Sequence, residues 1–83
     1  MSFYVYVLYS TEHDKIYIGF TSDLPSRLKS HNELAIKGYT LKYRPWSLIH
    51  TELFASKMLA MKREKQLKSA KGREFIRKKL LNQ

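Results

Sequence analysis

The first twenty residues contain two short runs rich in β-branched and aromatic side chains, and these runs constrain the fold more than any other feature. Residues 3–9 and residues 15–20 both have the composition of β-strands. Between them, residues 11–14 include Thr and Asp, whose side chains hydrogen-bond nearby backbone groups in turns. The chain is therefore predicted to begin with a β-hairpin.

The alternation of side chains in this hairpin brings two tyrosines together. Successive side chains of a strand point to opposite faces, so pairing the valines of the first strand with the isoleucines of the second buries these aliphatic groups on one face. The same register places Tyr6 and Tyr17 on the other face, as direct or diagonal neighbours. Two phenols are therefore expected to meet across the hairpin.

Capping residues and a glycine predict the next elements. Ser22 and Asp23 both have side chains suited to the N-cap of a helix. That helix is predicted over residues 24–37, with Gly38 ending it in the left-handed conformation. A third strand is predicted over residues 46–54.

The end of the chain has a helical pattern. Ser56 is expected to cap a long helix that reaches about residue 69, and Gly72 to separate it from a last helix ending near residue 81. On the first of these helices, Glu64 lies in a stripe of small and apolar side chains. A carboxylate in that stripe, within so basic a segment, requires an explanation.

Basic residues are concentrated in these helices. The chain has 16 Lys and Arg against 7 Asp and Glu, a formal net charge of +9, and residues 57–79 contain ten basic and two acidic side chains. This asymmetry favours a polyanionic partner, nucleic acid in the first place; the alternative is a solvated lysine-rich face. The residues expected to contact phosphates are Lys62, Arg63, Lys65, Lys68, Arg73, Arg77, Lys78 and Lys79.

Composition excludes several classes of protein. The absence of cysteine excludes a disulfide scaffold, a thiolate zinc site, an iron–sulfur cluster and a cysteine nucleophile. No apolar run approaches the roughly 18 residues that a membrane span needs, and the first residues lack the features of a secretion signal. We expect one domain over residues 1–83, cytoplasmic and without membrane association.

Two tripeptides in the hairpin resemble the motif of a known family. Residues 4–6 (Tyr-Val-Tyr) and residues 17–19 (Tyr-Ile-Gly), separated by ten residues, are similar to the paired tripeptides that name the GIY-YIG nuclease superfamily. Arg27, eight residues after the second tripeptide, stands where that family carries its helix arginine, and His31 follows one turn later. Glu64 is similar to the family's metal-binding glutamate. The closest likeness is to small stand-alone bacterial members.

The resemblance implies both a fold and an activity. The expected fold is of the α/β (α+β) class, a three-stranded antiparallel sheet flanked by helices. The expected activity is the hydrolysis of DNA phosphodiester bonds at a site that uses Mg²⁺ or Mn²⁺. Because nucleases of the superfamily often take specificity from an attached domain or a partner subunit, a partner protein that supplies specificity is expected as well.

The chemistry of each residue suits that reaction. The forked donors of Arg27 match two phosphate oxygens, which suits it to stabilise charge in the transition state. Glu64 is a hard oxygen ligand of the kind that Mg²⁺ prefers. Either Tyr6 or Tyr17 is the candidate general base or water-orienting group, and His31 is the candidate acceptor for its proton.

Plainer interpretations stay open beside this one. In these interpretations the tyrosines are packing residues of the hairpin, Arg27 pairs with Asp23, and Glu64 pairs with Lys68 on its own helix. At the level of the whole protein, the first alternative is a nucleic-acid-binding module that is silent or depends on a partner. The second is an interaction protein whose last helix docks on another chain through Phe75, Ile76 and Leu80.

Overall fold

A computed structural model of the chain describes residues 2–34 and 39–82. Three antiparallel strands form one sheet, in which β1 (Phe3–Ser10) lies between β2 (Lys15–Thr21) and β3 (Ser47–Phe54). The helices in the described ranges are α1 (Leu24–Lys29), α2 (Tyr39–Lys42), α3 (Lys57–Lys68) and α4 (Ala70–Phe75), and π-helical turns extend α1 over Ser30–Leu34 and α4 over Ile76–Leu80. This is the predicted three-stranded sheet flanked by helices.

The aliphatic face of the hairpin forms the main core. Val5 and Val7 are fully buried, and β1 pairs with β2 in the register that joins Val7 to Ile18. Burying these side chains against the C-terminal helices removes apolar surface from water, which stabilises the sheet. The core residues on this face are Val5, Val7, Ile16, Ile18, Ala60, Leu67 and Ile76.

The burial of Ile76 tests the interpretation that the last helix docks on another chain. Ile76 is fully buried, and Leu80 packs against the same core. The expected docking face of the last helix is therefore wrong for these two residues, because the chain uses them to cover its own sheet. Phe75 alone of the three is exposed, at 38%.

The opposite face of the sheet carries an aromatic cluster. Tyr6, Leu8 and Trp46 are buried there, with Tyr17 and Tyr43 packed against them. The predicted third strand begins one residue later than expected, at Ser47. The reason is that the backbone N–H of Trp46 donates to the side-chain oxygen of Asn32 at 2.7 Å rather than entering a strand ladder.

Side-chain caps set the starts of the long helices. Asp23 is the N-cap of α1, where its carboxylate accepts from the N–H of Ser26 at 3.2 Å. Ser56 caps α3 as predicted, because its hydroxyl accepts from the N–H of Leu59 at 3.2 Å. The predicted end of the first helix at residue 37 and the stop at Gly38 lie outside the described residues.

The predicted helix break at Gly72 is wrong. The break lies at Ser69, whose extended backbone ends α3 and whose hydroxyl caps α4 by accepting from the N–H of Gly72 at 3.2 Å. Gly72 lies inside α4, where a Cβ atom would overlap the backbone of Gln66 and Leu67. Glycine is needed here because α4 begins in close contact with the end of α3.

None of the helices in residues 2–34 and 39–82 has the length and hydrophobicity that a membrane span needs.

We predict that Gly72→Ala destabilises the protein. Alanine favours a helix over glycine by up to about 1 kcal/mol, but the backbone atoms that its Cβ would meet cannot move without separating α3 from α4. Overlap of this kind costs about 1–3 kcal/mol. Urea unfolding measures the change, and Lys71→Ala on the exposed side of α4 is the control, expected within about 0.5 kcal/mol of the parent. A more stable Gly72→Ala protein would contradict the packing argument.

Candidate active site

Tyr6 occupies the centre of the candidate site. It lies in β1 opposite Gly19 of β2, with 1% of its surface exposed, and its ring extends over the glycine. A Cβ atom at position 19 would lie 2.5 Å from the Tyr6 hydroxyl oxygen and 2.7 Å from Cζ. Gly19 is therefore required for the close approach of the phenol, and because β2 is an edge strand, the hydroxyl is carried towards that edge of the sheet.

Tyr17 and His31 lie beside Tyr6. The Tyr6 hydroxyl is 2.9 Å from Nε2 of His31, a buried contact. The ring of Tyr17 lies 4.7 Å from that of His31 and 6.3 Å from that of Tyr6, between centroids. Since Tyr17 pairs with Leu8 rather than with Tyr6, the two tyrosines are diagonal neighbours, which confirms the predicted register.

His31 is held by a residue that the sequence analysis missed. His31 lies in the π-helical turn after α1. Its carbonyl oxygen accepts a hydrogen bond from Nε of Arg44 at 2.6 Å. The carbonyl oxygen of Ser30 accepts a second one, from a terminal nitrogen of the same guanidinium, at 3.3 Å. These bonds span 13 and 14 residues. No local pattern indicates these bonds, because the sequence of residues 39–45 does not distinguish a helix from a strand or a loop.

The electrostatics of the site keep both partners of this hydrogen bond neutral. Burial, with smaller effects from the Tyr17 phenol and the Glu64 carboxylate, raises the pKa of Tyr6 to about 12, although the Arg27 side chain opposes the shift as a hydrogen-bond donor and as a positive charge. Burial first, and then the charges of Arg27 and Arg44, lower the pKa of His31 below its ordinary value of 6.5. At neutral pH the phenol is therefore the donor and the imidazole the acceptor.

Arg27 and Glu64 reach Tyr6 from different elements. Arg27 is exposed on α1, while Glu64 is on α3 between the buried Ala60 and Leu67. Both charges act on the pKa of Tyr6, which the Arg27 side chain lowers and the Glu64 carboxylate raises. Contacts therefore join three of the predicted residues, Tyr6, Tyr17 and His31, while the charges of the other two, Arg27 and Glu64, act on the Tyr6 phenol.

Glu64 also has the local partner that the plainer interpretation anticipated. Its Oε1 atom lies 3.6 Å from Nζ of Lys68, one turn later on α3. Its side chain is 20% exposed, so it remains accessible from solvent. A contact of this length between i and i+4 residues is weak, about 0.3–0.5 kcal/mol, and does not exclude a second ligand of the carboxylate.

The donor set at this site fits one kind of metal ion. Within residues 2–34 and 39–82, no group of three or more His, Asp or Glu side chains could enclose a metal. Mg²⁺ does not need such a cage, since it is commonly held by one or two carboxylates together with waters and substrate phosphates. Glu64 alone therefore fits Mg²⁺ or the chemically similar Mn²⁺, and does not fit a buried zinc site.

The predicted phosphate-contacting residues fall into two groups. Lys62, Lys65, Arg73 and Lys79 are exposed on α3, α4 and the last π-helical turn. The other four each have a carboxylate within 4 Å, so part of their charge is neutralised inside the protein. These ion pairs are Arg63–Glu52, Lys68–Glu64, Arg77–Asp14 and Lys78–Glu74.

The other two histidines have neighbours that the sequence did not reveal. Nε2 of His50 lies 2.7 Å from the carboxylate of Glu52, which also receives Arg63. The ring of His13 packs edge-on against Tyr43, with centroids 5.5 Å apart. His50 pairs with Val7, whose side chain is in the aliphatic core on the face of the sheet opposite Tyr6. Tyr43, the neighbour of His13, packs against the aromatic cluster that contains Tyr6.

Comparisons with known proteins agree on a family. The chain matches the GIY-YIG catalytic domain over residues 2–79. A UPF0213 protein of Bacillus velezensis is 42% identical over 81 residues, covering 94% of this chain and 81% of that protein. A UPF0213 protein of Natronomonas pharaonis is 41% identical over 66 residues, covering 80% of this chain and 76% of that protein.

A solved structure agrees with these relatives. The solution NMR structure of a UPF0213 protein from Bacillus halodurans superposes with a TM-score of 0.55 at 33% sequence identity, covering 92% of this chain and 82% of that one. The family is one of nucleases that generally use divalent metals and bind nucleic acid. This chain, similar to the small UPF0213 proteins, belongs to the GIY-YIG catalytic-domain family.

Proposed function

We propose that this protein is a divalent-metal-dependent endonuclease that hydrolyses phosphodiester bonds of DNA. The observation that carries the proposal is the buried hydrogen bond between the Tyr6 hydroxyl and Nε2 of His31, with a guanidinium and a carboxylate acting on the same hydroxyl. Phosphodiester hydrolysis needs an activated water, a cation for the developing charge and assistance to the leaving oxygen. The site offers a group for each of these needs.

The hydrogen-bonded pair is suited to activate water. A phenol with a pKa of about 12 does not lose its proton to solvent at neutral pH. It can, however, pass that proton to Nε2 of His31 while it accepts another from an attacking water, so that the imidazole becomes charged and the water becomes a nucleophile. This route assigns the role of base to Tyr6 rather than Tyr17, because Tyr6 makes the 2.9 Å contact with the acceptor.

Arg27 and Glu64 are suited to the phosphate. Arg27 is exposed, so its guanidinium can donate to two phosphate oxygens of a bound strand and stabilise their charge as the bond breaks. Glu64 would hold the metal ion. When bound, such an ion polarises the phosphate and stabilises the leaving oxygen.

The basic helices are suited to bind the rest of the substrate. The exposed cations Lys62, Lys65, Arg73 and Lys79 can contact phosphates without reading sequence, and such binding weakens steeply with salt. Specificity for a sequence or a branched structure is assigned to a partner protein.

We predict that Glu64→Gln and Arg27→Ala each reduce cleavage at least about a hundredfold, because each removes a group that stabilises charge in the transition state. Cleavage of a mixed panel of linear, forked and single-stranded DNA in Mg²⁺ or Mn²⁺ measures the effect, and a chelator should abolish the parent's activity. Circular dichroism and thermal melting check that both variants are folded.

Glu74→Gln is the matched control for Glu64→Gln. Glu74 also pairs with a lysine four residues later, Lys78, at 2.9 Å, but its side chain is 60% exposed on α4. This variant should therefore cleave like the parent. Undiminished cleavage by both Glu64→Gln and Arg27→Ala, or full activity in chelator, would refute the proposed mechanism.

We predict that kcat/KM rises with pH to a plateau, with a midpoint below 6.5. His31 must be neutral to accept the proton of Tyr6, and burial together with two arginines lowers its pKa, so the acid limb lies below the ordinary histidine value. His31→Gln should lower the plateau and remove this limb. The measurement is a pH–rate profile from pH 5 to 8, paired with melting curves at each pH. A midpoint above 6.5 in the parent would contradict the assignment.

The Glu64–Lys68 contact favours a second candidate function. A lysine ammonium 3.6 Å from the carboxylate competes with a metal ion for it. If Lys68 keeps the Glu64 carboxylate from binding a metal ion, the protein would bind nucleic acid without cleaving it. Salt-sensitive binding to the same DNA panel, with no cleavage in Mg²⁺ or Mn²⁺, would support this candidate over the nuclease.

A further inference from the structure

A cavity of about 310 Å³ lies along the outer edge of β2. β2 has a partner strand on one side only, and on its other side the hydroxyl of Tyr39 donates to the carbonyl of Ile16 at 3.5 Å. The backbone groups of alternate strand residues point the same way, so those of Ile18 face this edge as well. The residues that line the cavity are Ile16, Tyr17, Ile18, Tyr39, Lys68 and Arg73.

The cavity shares two walls with the candidate active site. Tyr17 lines the cavity, while its ring lies 4.7 Å from that of His31 in the site. Lys68 lines the cavity, while its ammonium lies 3.6 Å from the Glu64 carboxylate. A strand whose phosphate lay between Arg27 and Glu64 would therefore have a neighbouring nucleotide at the cavity.

Tyr39 supplies a fixed aromatic surface in this cavity. It is 46% exposed, yet its ring stacks on the buried Trp46 with centroids 5.9 Å apart and an interplanar angle of 29°. Tyr43 supports it edge-on at 4.8 Å. Trp46 is itself anchored, because its indole N–H donates to the carbonyl of Thr40 at 2.8 Å. An exposed ring held in this way loses little conformational entropy when a base stacks on it.

Two cations line the cavity. These are Lys68 and Arg73, and no Asp or Glu is among the lining residues that the structure describes. Arg73 is oriented by a bond from its Nε to the carbonyl of Lys68 at 3.3 Å. Arg73 also lies near the hydroxyl of Tyr39, since its charge opposes the rise that burial causes in the pKa of that phenol. An aromatic surface beside two cations matches a nucleotide, with a π-face and a phosphate.

We infer that this cavity is a subsite for one unpaired nucleotide next to the scissile phosphate. Its base stacks on Tyr39, and its phosphate lies between Lys68 and Arg73. The volume agrees with small-ligand sites, which begin at about 300 Å³. The inference rests on the proposed function, because it requires a nucleic acid bound at the neighbouring site.

The subsite has a consequence for the substrate. A base inside a duplex has its faces covered by its neighbours and must leave the stack before it can lie against a protein ring. Single strands, and strands that are unpaired next to the cut, therefore fit this cavity, whereas continuous duplex does not.

The test compares variants of the complete protein in binding to labelled oligodeoxynucleotides, single-stranded or duplex, by fluorescence anisotropy in chelator. Tyr39→Leu should weaken single-strand binding about tenfold and leave duplex binding unchanged. Tyr39→Phe keeps the ring and should bind like the parent. Phe75→Leu, which removes an exposed ring elsewhere among the basic helices, is the matched control and should also bind like the parent.

A second measurement alters the DNA, and its first part uses only the parent protein, so that part holds even if Tyr39→Leu folds poorly. Removing one base at a time from the strand should weaken binding to the parent at one position beside the cut, and the same base removal should have no further effect on Tyr39→Leu. Unchanged affinity for every abasic strand, or equal binding by Tyr39→Leu, would overturn the subsite while leaving the nuclease proposal intact. A parent that binds no DNA would overturn both.

Discussion

The ring of Tyr6 lies over the backbone of Gly19, where any side chain would meet the phenol oxygen. Because of this close approach, the hydroxyl of Tyr6 in the central strand β1 extends over β2 towards the sheet edge. There the carboxylate of Glu64 on α3 acts on its pKa. The same contact buries the phenol, and burial raises its pKa to about 12. The contact between Tyr6 and Gly19 therefore accounts both for the position of the hydroxyl and for its raised pKa.

The sequence predicts this arrangement where local rules decide it, and fails where they do not. The diagonal placement of Tyr6 and Tyr17 follows from the two-residue period of strands, and the caps at Asp23 and Ser56 follow from residue type. The error at Gly72 has a physical reason, because a glycine can end a helix or permit two backbones to touch. Only the packing of α4 on α3 distinguishes these uses.

The hydrogen bonds that support the site also could not be predicted from local sequence rules. Arg44 holds the carbonyls of Ser30 and His31, and Asn32 both donates to and accepts from the backbone of Trp46. Each bond joins residues 13 or 14 positions apart, in a segment with no regular pattern. Such bonds form only once α1 and the start of β3 are packed on the same face of the sheet, so they are a product of the fold rather than a signal for it.

The outer edge of β2 shows how one surface can serve both stability and binding. An exposed strand edge invites pairing with another chain, and proteins protect such edges with charged side chains or by covering them. Here Tyr39 caps the carbonyl of Ile16, and the cations Lys68 and Arg73 flank the strand. These groups oppose the addition of a fourth strand, but they leave a cavity that accepts a flat ring and an anion. The features that protect the edge from aggregation are thus the ones that suit it to a nucleotide.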